Sequence, residues 1–194
     1  MTATPAPRLC LASASPRRSA LLAQIGVPHR VVAAQLDETV HAGETPRQYV
    51  ERLAAAKARA IAADAARSGG LPVLGADTSV ILGERILGKP ESASEAREML
   101  AALAGRTHEV LSAVALCDAR GLRSRVSCTR VTLRAVSARE IDDYWASGEP
   151  RDKAGGYAIQ GLAAVFIERI EGSYSGVMGL PLFETATLLA EAGV

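Results

Sequence analysis

Two long strand-like runs, 108–116 and 122–136, meet at the polar turn Asp118-Ala-Arg-Gly121. Strands joined this closely pair antiparallel, because a parallel return needs a crossover of a dozen residues or more. Elsewhere, short apolar runs alternate with helical periodicity, the pattern of parallel βαβ units. The sheet is therefore mixed and the fold class is α/β. With 194 residues, 48% of them apolar, the chain can bury one substantial core. It reads as a single domain, 1–194, with residues 1–7 as a flexible N-terminal extension.

The remaining elements follow from caps and breakers. Residues 8–12 form a short buried strand. Ser15 then caps a helix with Pro16 at its first position, ending at Gly26. A strand over 30–33 leads into a loop holding Asp37 and Glu38. Thr45-Pro46 opens the longest helix, which runs to Gly69-Gly70. A strand over 72–75 delivers Asp77-Thr78, and 79–82 and 85–87 flank a hairpin turn at Gly83-Glu84. Helices over 94–103 and from Ser137 to Gly148 bracket the long hairpin. A Gly-rich stretch, 148–161, precedes an apolar strand over 164–170, and Gly179-Leu-Pro181 opens a closing helix over 182–192. No repeat, low-complexity tract or linker interrupts this order.

A net charge of +1 and 4% aromatic residues disfavour a nucleic-acid or membrane surface as partner. No run approaches the ~20 apolar residues of a membrane span, and the N-terminus lacks a signal-peptide apolar core. Cys10, Cys117 and Cys128 are odd in number and far apart, and His29, His41 and His108 have no zinc-ligand spacing. All six read as structural or surface residues, and the chain as a cytoplasmic protein.

The cations are 19 arginines and only three lysines, beside 37 alanines and no asparagine. This bias suggests a GC-rich coding background in which surface cations drift to arginine. Lys57, Lys89 and Lys153 then stand out as compact point charges suited to phosphate oxygens or a metal-crowded site.

Familiar linear signatures fail. Gly83 to Lys89 has P-loop spacing, but Pro90 replaces the Ser or Thr that would hold magnesium. Gly172-Ser-Tyr-Ser-Gly176 puts Tyr174 where a nucleophile elbow needs serine. Four scattered segments carry chemistry instead. Ser13, Ser15, Arg17 and Arg18 surround a helix N-terminus, a ready anion site, although a simple Ser cap with solvated arginines would look similar. Lys57 falls on the apolar stripe of the long helix rather than opposite it, as a site residue or as a snorkelling stem. Asp77 sits where open α/β sheets bind ligands, able to act as a base or a metal ligand, and Lys89 follows soon after. Lys153 and Gln160 lie in the Gly-rich stretch, where backbone can approach a ligand and a carboxamide can read a base edge.

In this order the segments resemble the Maf family of nucleoside triphosphate pyrophosphatases. The resemblance rests on Leu11-Ala-Ser-Ala-Ser-Pro-Arg-Arg18, Arg52-Leu-Ala-Ala-Ala-Lys57, Leu74-Gly-Ala-Asp-Thr78 and Gly88-Lys-Pro90. It continues through Gly148-Glu-Pro-Arg-Asp-Lys-Ala-Gly155, Ile159-Gln-Gly161 and Val177-Met-Gly-Leu-Pro181. It spans about residues 8 to 192, and all three lysines fall inside it. It implies a twisted mixed sheet flanked by helices, with two lobes around a deep cleft, as in inosine triphosphate pyrophosphatases. It also implies hydrolysis of the α–β phosphoanhydride bond of a nucleotide with a divalent cation, Mg2+ or Mn2+. By the same resemblance Asp77 is the general base. Ser13, Ser15, Arg18, Lys57, Lys89 and Lys153 form the phosphate- and substrate-binding surface. Glu38 and Asp77 are candidate metal ligands, and whether Asp77 takes a proton directly or holds the metal is left open.

Arg17, Thr78 and Gln160 match the branch of the family acting on dTTP and UTP. A sibling branch acting on 7-methyl-GTP tends to carry an aromatic residue, Gln and Glu at these positions. The expected reaction is thus release of pyrophosphate from dTTP and UTP, extending to CTP and modified pyrimidine nucleotides, which would keep modified nucleotides out of nucleic acid. The competing class is a non-catalytic nucleotide-binding regulator of septum formation. A pure binder has no need of Asp77 and three cleft lysines. Assembly as a homodimer is left open by the sequence.

Overall fold

The computed structural model describes residues 5–194; residues 1–4 of the expected N-terminal extension lie outside it, and residues 5–8 are exposed coil. The chain runs β1 (Leu9–Ala12), α1 (Pro16–Gln24), β2 (His29–Val31), α2 (Pro46–Ala62), α3 (Ala65–Ser68), β3 (Val73–Leu82) and β4 (Arg85–Leu87). It continues with α4 (Ala93–Leu103), β5 (Thr107–Asp118), β6 (Gly121–Leu133) and α5 (Ala138–Ala146). Three 3-10 turns then precede β7 (Ile167–Glu171), α6 (Tyr174–Met178) and α7 (Leu182–Ala192).

Local chemistry explains most of these boundaries. Ser15 accepts a hydrogen bond from the Arg18 amide at the start of α1, with Pro16 in the first turn. Capping boxes at Thr45/Gln48 and Ser137/Glu140 open α2 and α5. The long helix expected to reach Gly69-Gly70 instead stops at Ala62. The Asp64 carboxylate takes the amides of Ala66 and Arg67 and starts the separate α3, which Gly69 ends in the left-handed region. The strand expected from 164 begins only at Ile167. Residues 162–166 wind as a 3-10 turn that buries Ala163 and Phe166, three apart, and leaves Val165 exposed.

The sheet is mixed, as the long hairpin requires, in the order β2-β1-β3-β5-β6-β7. β1 is parallel to β2 and β3, whereas β5, β6 and β7 pair antiparallel. The two short runs expected around Asp77 are one continuous strand, β3, and its partners create the site. One edge pairs with β5 from Val73 to Ile81. The other edge pairs with β1 only as far as Gly75, and with β4 only from Val80. Residues 76–79 therefore have no strand beside them on that edge. A crevice opens there, where the pairing changes from parallel to antiparallel.

Side-chain alternation then builds the core. On one face, Leu74, Ala76, Val114 and Leu116 join β1, α1 and α7 in one apolar cluster. On the same face, Val80, Val110, Val131 and Leu133 join α4 and α5 in another. Thr78 and Ser112 lie between the two clusters in register. α2 covers the opposite face, laying Val50, Ala54 and Ala58 over Ile81, Leu111, Ala113 and Ala115. Gly75 makes that approach possible, since a Cβ there would fall 2.2 Å from the Ala54 carbonyl oxygen. Among the described residues the three cysteines are unpaired, and no helix is long and apolar enough to cross a membrane.

Candidate active site

A cavity of about 330 Å³ occupies the crevice beside residues 76–79. Its walls come from every segment singled out in the sequence. Ser13, Ser15, Arg17 and Arg18 arrive from the β1–α1 turn, Glu38 from the loop after β2, and Lys57 from α2. Thr78, Lys89, Lys153 and Gln160 complete the lining. Asp77 does not line the cavity. It is 6% exposed and points to the α2 side of β3, opposite to Thr78.

Lys57 joins the two carboxylates. Its ammonium lies 2.7 Å from Asp77 Oδ1 and 2.7 Å from Glu38 Oε1, so a strand acid and a loop acid meet at one cation. Burial raises the Glu38 carboxyl, but the hydrogen bond and charge of Lys57 outweigh it and leave the group below its ordinary value. Sequence reasoning missed what holds this loop. Tyr49 donates its hydroxyl to the Glu38 carbonyl at 2.9 Å. Arg52 binds Glu44 through two nitrogens, at 2.5 and 2.7 Å, and donates to the Thr39 carbonyl at 3.0 Å. Both residues lie on α2, eight and five positions before Lys57, and Arg52 opens the Arg52-Leu-Ala-Ala-Ala-Lys57 segment that carried the family resemblance.

The opposite wall is organised by one carbonyl. Gly179 O accepts from Arg18 Nε at 2.8 Å and from the Thr78 hydroxyl at 3.3 Å. Arg18 also donates to Ser13 Oγ at 3.3 Å, and Ser13 Oγ accepts the Ser15 amide at 3.1 Å. Burial pushes the Arg18 guanidinium below its ordinary value, against the pull of Asp77. Across the cavity mouth, Arg17 reaches Asp152 Oδ2 at 3.2 Å, and Lys153 binds the other oxygen of that carboxylate. Asp152 carried no role in the sequence reading. Burial raises its carboxyl, while Lys153 and Arg17 together bring it below the ordinary range. Lys89 and Gln160 are exposed and make no side-chain hydrogen bond or ion pair among the described residues.

Chemically, Arg17, Arg18, Lys57, Lys89 and Lys153 face only Glu38 and Asp152 on the cavity wall. That excess of positive charge suits a polyanion. Val80, Val110 and Met178 add an apolar section. No cluster of three or more His, Cys, Asp or Glu side chains exists among the described residues. The Glu38 and Asp77 carboxylates supply the one or two oxygen ligands a Mg2+-like ion commonly uses beside phosphate oxygens and water, and in this structure the Lys57 ammonium is the cation they share.

The family model for Maf-like proteins matches residues 8–192. The chain belongs to the Maf family. Its Maf relatives include a Hahella chejuensis protein, 49% identical over 187 residues that cover 96% of this chain and 93% of the relative. Two others are 52% identical, from Methylobacillus flagellatus (96% and 94% covered) and Cupriavidus metallidurans (96% and 97% covered). All three are named dTTP/UTP pyrophosphatase. A solved structure of a nucleoside-triphosphatase / dITP/XTP pyrophosphatase from Mycobacterium abscessus is 18% identical, covers 66% of this chain and 74% of its own, and has a TM-score of 0.40. That likeness is too slight to bear on this Maf chain's fold or activity.

Proposed function

We propose that this protein hydrolyses dTTP and UTP to the nucleoside monophosphate and pyrophosphate. The observation that carries the reading is the convergence of Arg17, Thr78 and Gln160 with the cleft cations on one cavity. Full-length similarity of about half identity to proteins named dTTP/UTP pyrophosphatase supports it.

In this reading the triphosphate lies along Ser13, Ser15, Arg18, Lys57, Lys89 and Lys153, whose donors and charge offset the phosphate oxygens. Water adds, the α–β anhydride bond breaks, and pyrophosphate leaves into the same cationic surface. Asp77, which meets the cavity only through Lys57, either takes the proton of the attacking water or holds the metal that acidifies it, and Lys57, within hydrogen-bond reach, orients the carboxylate in both cases. Glu38 and Asp77 would hold a divalent cation, Mg2+ or Mn2+, which when bound neutralises phosphate charge and acidifies coordinated water. Gln160 offers a donor and an acceptor to the imide N–H and carbonyl of uracil or thymine. The cytoplasm, where such nucleotides are pooled, is the compartment this activity fits.

A panel of nucleoside triphosphates assayed with Mg2+ or Mn2+ tests the proposal. Pyrophosphate release with dTTP and UTP preferred is the expected result. Orthophosphate as sole product, or no preference among bases, would overturn it.

A further inference from the structure

The loop carrying Gln160 is gripped on both sides by two residues that do not line the cavity. Tyr144 of α5 is 4% exposed and packs edge-to-face on Phe166, ring centroids 5.5 Å apart. Its hydroxyl donates to Glu149 Oε1 at 2.7 Å and accepts from the Ala158 amide at 3.1 Å. Glu149 Oε2 accepts from the Leu162 amide at 3.1 Å. Ala158 and Leu162 stand two residues to either side of Gln160. Between them, Gly161 lies so close to the carboxylate that a Cβ there would fall 2.1 Å from Oε2. Burial, and then the bond to Glu149, hold the Tyr144 phenol above its ordinary value, so it remains a donor.

Glu149 also begins the 3-10 turn Glu149–Asp152, which leads directly into Lys153. One carboxylate thus touches the Gln160 loop and belongs to the turn that carries Asp152 and Lys153 toward the cavity. We infer that Tyr144 and Glu149 are positioning residues for base selection, setting the separation between Gln160 and the cations that hold the phosphates. The inference rests on the base-reading role proposed for Gln160. The Gln160 side chain makes no hydrogen bond of its own among the described residues, so its place is set by the backbone that these two residues grip.

Tyr144→Phe removes the bridging hydroxyl and keeps the ring. Three readouts test the inference: amide hydrogen exchange at Ala158, KM and kcat for UTP, and the inhibition constant of inorganic tripolyphosphate, which has phosphates but no base. Exchange at Ala158 should accelerate. KM for UTP should rise roughly tenfold, as for loss of one buried hydrogen bond, with kcat within about threefold and the tripolyphosphate constant within about twofold. Gly161→Ala, which pushes Glu149 away from the loop, should change the same quantities in the same direction, and serves if Tyr144→Phe does not fold. A tripolyphosphate constant that rises in step with KM, an unchanged KM, or unchanged exchange overturns the inference. Gln160→Ala assayed in parallel separates the two readings. If it spares the UTP preference, base reading by Gln160 falls and the clamp's role falls with it. If it abolishes the preference while Tyr144→Phe leaves KM for UTP unchanged, only the clamp falls.

Discussion

Lys57 Nζ lies 2.7 Å from Asp77 Oδ1, both side chains at or below 10% exposure, and this contact ties the face of the sheet under α2 to the open cavity on its edge. Asp77 is withdrawn from the cavity wall, and its contact with the cavity runs through this lysine. Asp77→Asn keeps the size of the side chain and removes its charge. Turnover of dTTP should fall at least ~10²-fold in a variant that still folds, as circular dichroism would show, since Lys57 keeps Glu38 as a partner. Near-parental turnover in a folded Asn variant would transfer the base role to Glu38.

The same pair has a consequence for stability. Removing one partner of a buried ion pair costs about 3–5 kcal/mol, because the other charge is left uncompensated. Lys57→Met should therefore lower the urea midpoint substantially, and adding Asp77→Asn should recover much of the loss. Additive destabilisation in the double variant would show that the two side chains are not coupled.

The metal role proposed for Glu38 and Asp77 predicts metal dependence. Excess chelator should abolish pyrophosphate release, and added Mg2+ or Mn2+ should restore it. Glu38→Gln should raise the metal concentration giving half-maximal rate, with full activity approached at saturation. Activity that persists in chelator would remove the metal from the reaction.

Gln160→Glu keeps side-chain length but leaves only acceptors when ionised. An unpaired polar group at a base edge costs roughly 1–3 kcal/mol, so kcat/KM for dTTP and UTP should drop about ten- to a hundredfold. Metal dependence should not change. Equal loss on dTTP, UTP and a methylated guanine nucleotide would make Gln160 a catalytic or structural residue instead.

His108 gives a pH signature. It is 3% exposed, its Nε2 lies 2.8 Å from the Tyr157 hydroxyl, and desolvation lowers the imidazole from 6.5 to about 4. The folded value lies below the unfolded one, so the neutral ring's contribution is complete above about pH 6.5 and is lost as pH falls toward 4. The full loss amounts to about 3 kcal/mol. Urea midpoints measured from pH 7.5 to 4.5 should fall more steeply for the parent than for His108→Gln, and parallel curves would refute the assignment.

Local chemistry was legible in the sequence. Ser15-Pro16, Thr45-Pro46 and Ser137 start helices because their side chains satisfy amides within a single turn. The long hairpin required antiparallel pairing because its turn is too short for anything else. The segments bearing the candidate site residues were also found, since each needs only a few adjacent residues of the right chemistry. The break at Asp64 was the exception: one carboxylate competed for local amides and ended a helix whose apolar pattern continued.

Tertiary structure decided where those segments meet. The crevice exists because β1 ends at Ala12, opposite Gly75, while β4 joins the same edge only at Val80. No sequence pattern shows which strands share an edge. Alternation along β3 then sends Thr78 to the cavity and Asp77 to Lys57, so neighbours in sequence serve opposite faces. Arg17 meets Asp152 across 135 positions, and Arg18 meets the Gly179 carbonyl across 161. Contacts at such separation depend on the packing of the whole sheet, because no local term in the free energy distinguishes them from other pairings.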